Sequence, residues 1–283
     1  MYNQNIQLEK ATLGKPFAIG RSAELYLLEE HKILKLFFPD AKESEIDLEI
    51  KNTMEANRKS VSGMRCFGKA KVDQRFGIIF DKVDGISLTK LPDQNPLELF
   101  RIARTLARLH YGIHQIHSDQ YKDIKEILYS CLISDPLSFL NSIEKEKVKS
   151  YISLLPLGNS ILHLDFHPEN VIVDGKEEVI IDWMTAAKGN PAADVAFTVL
   201  LFTDAELWPG TPKLKVLFYT IIRKFILRGY LKAYKSLSGI TDSEIDAWRL
   251  PALILRLGLW NIQSERERLK SQISRLVIKL GAE

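Results

Sequence analysis

At 283 residues and 32.3 kDa the chain has room for one large domain or two lobes, not for a string of modules. Its 46% hydrophobic and 27% charged residues describe a protein with a substantial core, and 39 Lys+Arg against 36 Asp+Glu leave only +3, too little to make nucleic acid the default partner. Cys66 and Cys131 fit neither a disulfide framework nor a zinc spacing, Met1–Lys10 is too polar for a secretory signal, and the longest apolar runs, such as Val195–Phe202, predict no membrane span, so a cytoplasmic setting is expected.

From Phe17 to about Val83 the sequence is made of short alternating or β-branched runs. Ala23–Glu29, Ile33–Phe38, Met64–Val72 and Phe76–Val83 read as strands, with a shorter one ending at Ile19. One helix interrupts them, from Glu43 to about Arg58, with Ile46, Ile50, Met54 and Ala56 as its apolar stripe. After Asp84-Gly85 the pattern turns helical. Helices are predicted at Leu97–His110, Tyr121–Leu132, Pro136–Leu155, Asp194–Phe202, Lys213–Ser236, Asp242–Arg256 and Leu259–Leu280. Between them, Ile161–Trp183 is a strand-and-loop insert.

That insert carries the chemistry. His163-Leu164-Asp165-Phe166-His167-Pro168-Glu169-Asn170 is polar between apolar runs, and two β-branched triplets, Val171–Val173 and Val179–Ile181, flank Asp174-Gly175 as a hairpin. A hairpin brings Asn170, just before its first strand, beside Asp182, just after its second. An amide oxygen and a carboxylate held together form a hard-oxygen site suited to Mg2+. Asp165 projects as a carboxylate able to accept a proton from an attacking hydroxyl.

The spacing of Asp165, Asn170 and Asp182 is similar to that of the protein kinase-like fold, and the sequence resembles its aminoglycoside phosphotransferase and choline kinase-like branch. The resemblance rests on His163-x-Asp165-x-His167-Pro168-x-Asn170, on Ile181-Asp182-Trp183, and on Gly189-Asn190-Pro191-Ala192-Ala193-Asp194, which departs from the family phrase at Asn190. It runs from about residue 15 to about 205. It implies an α+β, bilobal fold: a small antiparallel-sheet N-lobe with one helix for nucleotide binding (residues 1–83), and a larger, mainly helical C-lobe for catalysis and acceptor binding (84–283).

The resemblance also implies roles. Asp165 would be the catalytic base, Asn170 and Asp182 the metal ligands, and His163 and Asp194 structural supports of the catalytic loop. Lys35, in Ile33-Leu34-Lys35-Leu36-Phe37, would hold the nucleotide phosphates and pair with an acid on the next helix, Glu49, with Glu45 as the alternative. Gly20 and Ser22 lie where the family has its phosphate-covering loop, and Asp81 and Val83 lie in the hinge that meets adenine. One departure stands in the loop itself: Leu164 occupies the position between His and Asp where the family commonly has glycine.

The implied activity is transfer of the γ-phosphate of ATP, or of GTP, with Mg2+, to a hydroxyl of an aminoglycoside-, choline- or sugar-like small molecule. The alternative is a catalytically silent nucleotide-binding regulatory module of the same fold. A protein kinase is disfavoured, because Asp182 and Asp194 are too close for a long activation segment. The helix from Lys213 carries seven Lys or Arg and no acid, which reads as a solvated basic face. Asp204, Glu206 and Trp208 offer an acid and an aromatic face for a single cation. Trp248 and Trp260 could add to that face but, like His110, read as core residues. The sequence names neither the acceptor nor the oligomeric state.

Overall fold

The computed structural model describes residues 6–29, 31–95, 97–175, 177–205 and 212–280. Short alternating segments fold as strands in the first third of the chain. β1 (Ile6–Leu8), β2 (Ala18–Ile19), β3 (Ala23–Glu29), β4 (Lys32–Phe37), β5 (Cys66–Val72) and β6 (Arg75–Asp81) form one sheet in the order β1-β5-β6-β4-β3-β2. β1 pairs parallel with β5, Ile6 opposite Ala70, so the sheet is mixed where a wholly antiparallel one was expected. Three residues are too few for a period-two pattern to show in sequence.

Helix α1 (Glu43–Arg58) packs on one face of this sheet. Phe37, Ile46, Met64, Cys66, Ile78 and Phe80 are buried there, and Tyr26, Leu34, Leu36, Ala70, Val72 and Ile79 are buried on the opposite face. Each of the buried Phe, Leu, Ile, Val and Met side chains contributes roughly 1.5–3 kcal/mol. Gly77 lies at the centre of the sheet. A Cβ there would come within 2.7 Å of Leu34 Cδ1 and 2.9 Å of the Lys35 carbonyl oxygen, so glycine lets β4 lie close beside β6.

After β7 (Ile86–Ser87) and α2 (Leu91–Gln94) the chain becomes mainly helical. α3 (Glu98–His114) buries Ile102, Ala103, Leu106, Ala107, His110, Ile113 and His114 along one face. α4 (Ile124–Leu132) begins at an Asp123 cap, and α5 (Ser142–Leu154) begins at a capping box between Asn141 and Glu144. The cap, not Pro136, starts α5, because Pro136 lies in a separate 3-10 turn. Then follow β8 (Ser160–Leu162), the β9 (Val171–Asp174) and β10 (Glu177–Ile180) hairpin, β11 (Ala187–Gly189), α6 (Pro191–Asp204), α7 (Lys213–Ser238), α8 (Asp242–Ala247), α9 (Arg249–Leu255) and α10 (Arg266–Lys279). The last two expected helices are interrupted. Trp248 breaks the first at φ −92, ψ 4, and a π-helical turn, Arg256–Trp260, ends at left-handed Asn261 and delays α10. Asparagine is one of the few residues that enters that region readily.

The chain divides into two compact units, one of Met1–Gln94 with Pro168–Ala186, the other of Asn95–His167 with Ala187–Glu283. In the first, β7 pairs with β9, Ile86 opposite Val173. Gly85 makes this possible: its φ is +152, and any Cβ would strike the Val173 carbonyl. Ser62 Oγ donates to the Ile180 carbonyl at 2.7 Å, and Asn52 Nδ2 donates to the carbonyls of Met184 and Ala186 at 3.2 Å each. In the second unit β8 pairs antiparallel with β11, and α3 packs along α7.

Candidate active site

In the first unit the central feature is a lysine between two carboxylates. Lys35 projects from β4, and its Nζ donates to Glu49 Oε1 at 2.7 Å and to Asp182 Oδ1 at 3.3 Å. Glu45, one turn earlier on α1, is exposed, whereas Glu49 is buried. Burial disfavours the Lys35 ammonium, but the Asp182 and Glu49 charges outweigh it and raise its pKa. Burial pushes the Glu49 carboxyl up, the Lys35 charge opposing it. Glu49 Oε2 has no hydrogen-bond partner among the described residues.

The hairpin brings Asn170 and Asp182 to one end. Val171 lies opposite Ile180, and the Ile181 N–H donates to the Asn170 carbonyl at 3.0 Å, which places Asn170 next to the residue preceding Asp182. Asp182 has φ +63, a left-handed turn that directs the chain out of the strand. The Asn170 side-chain oxygen and the Asp182 carboxylate, one of whose oxygens faces Lys35, would offer a metal only oxygen donors. That chemistry fits Mg2+, which takes few protein ligands and leaves its other positions to water and phosphate.

Gly20 and Ser22 lie in the exposed turn between β2 and β3. The Gly20 N–H donates to the Ala23 carbonyl at 2.8 Å, and the Ser22 carbonyl accepts from the Phe38 N–H at 3.0 Å. The Asp81 carboxylate is engaged by Arg65, whose Nε donates to it at 2.8 Å, and the Asp81 N–H donates to the Arg65 carbonyl. Val83 follows the end of β6, with its side chain against the cluster beneath α1.

In the second unit Asp194, on the first turn of α6, organises the loop that carries Asp165. Its carboxylate accepts the N–H of His163, and the N–H of Leu164 at 2.9 Å. His110 Nε2 lies 3.0 Å and His114 Nε2 3.3 Å from the same Oδ2, while their Nδ1 atoms meet the Tyr230 hydroxyl at 2.7 Å and the Tyr234 hydroxyl at 2.5 Å. All five side chains are buried. Burial pushes Asp194 up, but the two imidazoles outweigh it and hold it well below the usual carboxylate range. Burial alone dominates at His110 and lowers it to about 4, so its ring is neutral at neutral pH.

Leu164 itself is left-handed, with φ +58 and a fully buried side chain. His163 Nδ1 accepts from the Asp165 N–H at 3.3 Å, which fixes the loop backbone beside the candidate base. His167 Nε2 lies 3.7 Å from Asp165 Oδ2. Burial pushes Asp165 up, but His167 foremost, then His163 and Arg256, hold it below its ordinary value. Asp165 is therefore a carboxylate at neutral pH.

Sequence reasoning missed Arg256, which forms a buried two-point ion pair with Glu265 at 2.8 and 3.0 Å and lies beneath the Trp260 ring. No local pattern marks such a pair. It also missed Asn52, although its place three residues after Glu49 put it on the same helical face. Of the residues considered for a cation, Asp204 accepts from Gln272 at 2.7 Å, while Glu206 and Trp208 lie outside the described residues. Trp248 is in the core, and Trp260 stacks on Phe197 at 5.0 Å.

A mixed sheet under one long helix, followed by a mainly helical unit, is the protein kinase-like fold as small-molecule phosphotransferases carry it. Residues 14–211 match the phosphotransferase enzyme family, and the chain belongs to that family. The structure is similar to that of a thermostable mutant of aminoglycoside phosphotransferase APH(4)-Ia in a ternary complex with AMP-PNP and hygromycin B, with a TM-score of 0.63 at 14% identity over 95% of this chain and 94% of that chain. It is also similar to ADP-bound aminoglycoside phosphotransferase APH(2'')-Ib (TM-score 0.52, 16% identity, 93% of this chain and 91% of that chain). A third likeness is to an aminoglycoside-3'-phosphotransferase of type VIII (TM-score 0.58, 14% identity, 84% and 90%). At these identities the likeness is one of fold. No curated protein sequence matches the chain.

Proposed function

We propose that the protein is an ATP- and Mg2+-dependent small-molecule O-kinase that moves the γ-phosphate to a hydroxyl of its acceptor. The observation that carries the reading is the Lys35 ammonium held between Glu49 at 2.7 Å and Asp182 at 3.3 Å. A buried cation fixed by two acids is an aligned partner for phosphate oxygens, and positioning with electrostatics supplies most of the rate in phosphoryl transfer. The neighbour solved with AMP-PNP and hygromycin B supports a nucleotide and a hydroxylated small molecule as the two substrates.

Lys35 orients the phosphates, with Glu49 holding it in place. Asn170 and Asp182 would hold Mg2+, which would neutralise charge on the phosphate oxygens. Asp165, ionised at neutral pH, receives the acceptor hydroxyl proton as the oxygen–phosphorus bond forms and ADP leaves. Asp194 and His163 keep the loop backbone in place.

The test is ADP release from Mg-ATP across a panel of aminoglycosides, choline-like amines, sugars and hydroxy amino acids, with Asp165→Ala beside the wild type. Release that an acceptor stimulates, and that vanishes in Asp165→Ala while Mg-nucleotide binding persists, is the expected result. A folded wild type that binds no Mg-nucleotide would overturn the reading.

A further inference from the structure

We propose that the N-terminal half of α7, with the start of α3 beside it, docks the protein on a bilayer surface containing anionic lipid. The two halves of α7 are unlike. Towards its C-terminus Ile226, Leu227, Tyr230 and Tyr234 are buried as a packed helix requires, whereas every residue from 214 to 221 is exposed. Within that exposed half Leu214, Leu217, Phe218 and Ile221, continued by Phe225, follow the i, i+3, i+4, i+7, i+11 spacing of one stripe and are between 43% and 80% exposed, while Val216 and Tyr219, at 38% and 42%, lie off it. Phe100 of α3, itself exposed, meets Phe225 edge-on at 5.5 Å, and exposed Leu97 lies three residues before it.

The charges complete the surface. At 100° per residue Lys215 falls on one flank of the stripe and Lys224 on the other, and exposed Arg228 continues its line. α7 holds seven Lys or Arg and no acid, and α3 adds exposed Arg101, Arg104 and Arg108 against the single acid Glu98. The whole chain carries only +3, so the excess is concentrated on these two helices.

An apolar stripe between lysines suits a helix lying in the membrane interface, its aliphatic and aromatic side chains among the acyl chains and its ammonium groups reaching the headgroups. No helix among the described residues is long and apolar enough to cross a membrane, so the contact is one of lying on the surface. A second copy is a poorer occupant, because a two-fold interface would set the same basic flanks against each other. A protein partner would have to supply a groove around a helix that stands exposed over residues 214–221, whereas a bilayer needs no such shape complement.

The experiment is flotation of the full chain with vesicles of phosphatidylcholine alone and of phosphatidylcholine mixed with phosphatidylglycerol. The expected result is binding to the mixed vesicles at low salt, release as salt rises, and little binding to the neutral ones. Phe218→Asp alone, and Lys215→Glu with Lys224→Glu, should each weaken binding about tenfold or more. These side chains are exposed, so unchanged melting temperatures of the variants keep the comparison clean. Absence of binding to the mixed vesicles, equal binding to both compositions, or unchanged binding by both variants would overturn the proposal. So would a wild-type dimer that Phe218→Asp dissociates in a protein that ignores vesicles. The assay needs no turnover, so its outcome is separate from the kinase reading.

Discussion

Leu164 and Lys35 are held in place by opposite means. Leu164 takes a left-handed backbone with φ +58, which costs a residue with a Cβ about 1–2 kcal/mol, and its buried side chain offsets this with about 2–3 kcal/mol. Packing therefore outweighs strain. Leu164→Gly relaxes the backbone but leaves a hole where deletion of a leucine side chain costs about 2–5 kcal/mol, so a net loss of roughly 1–3 kcal/mol is expected in urea denaturation. A more stable variant would show that strain is the larger effect. Lys35 is held by charge. In Lys35→Met the buried Glu49 loses its cation, and a loss of about 3 kcal/mol is expected. Lys35→Met with Glu49→Leu removes both members of the pair and should recover most of it. If the double variant is no more stable than the single one, the penalty comes from packing and not from an unpaired carboxyl.

At the scale of elements, the parts legible in sequence were those with a local signature. β3 and α1 occupy the residues expected from alternation and helical spacing, because each pattern runs over seven or more residues. The hairpin that sets Asn170 beside Ile181 followed from two β-branched triplets around Asp174-Gly175. β1 was not legible, being three residues long, nor was the late start of α10, which depends on left-handed Asn261. The union of α3, α6 and α7 was also hidden, because it depends on side chains far apart in sequence: His110 on α3 between Asp194 on α6 and Tyr230 on α7. That union predicts a pH dependence. An unfolded histidine titrates near 6.5, whereas burial lowers folded His110 to about 4. Between those values the unfolded chain binds a proton that the native state refuses, so stability falls as pH drops through the window, by roughly 3 kcal/mol when complete. In His110→Gln this component is absent, and unfolding free energy should fall less steeply from pH 6.5 to about 4. Parallel slopes for the two proteins would mean that His110 is not held neutral by the fold.

At the scale of the molecule, the candidate residues sort by unit. Lys35, Glu49, Asn170 and Asp182 all belong to the first, and His163, Asp165 and Asp194 to the second, the boundary falling between His167 and Pro168. Membership of Pro168–Ala186 in the first unit rests on Asn52, Ser62 and Gly85, whose bonds and close approach span more than eighty residues and leave no local trace in the sequence. The division predicts that nucleotide binding and turnover are separable. A ligand that binds only the native state, at a free concentration about a hundred times its Kd, adds about 2.7 kcal/mol of stability and raises Tm by several degrees. Mg-AMP-PNP should therefore raise the Tm of the wild type and of Asp165→Asn alike, although the variant turns over no substrate. Asp182→Asn should show little of this shift, because it removes the carboxylate that pairs with Lys35 and is the proposed ligand for the metal. If Asp165→Asn also failed to respond, Asp165 would belong to the nucleotide site, and its assignment as the base would have to be abandoned.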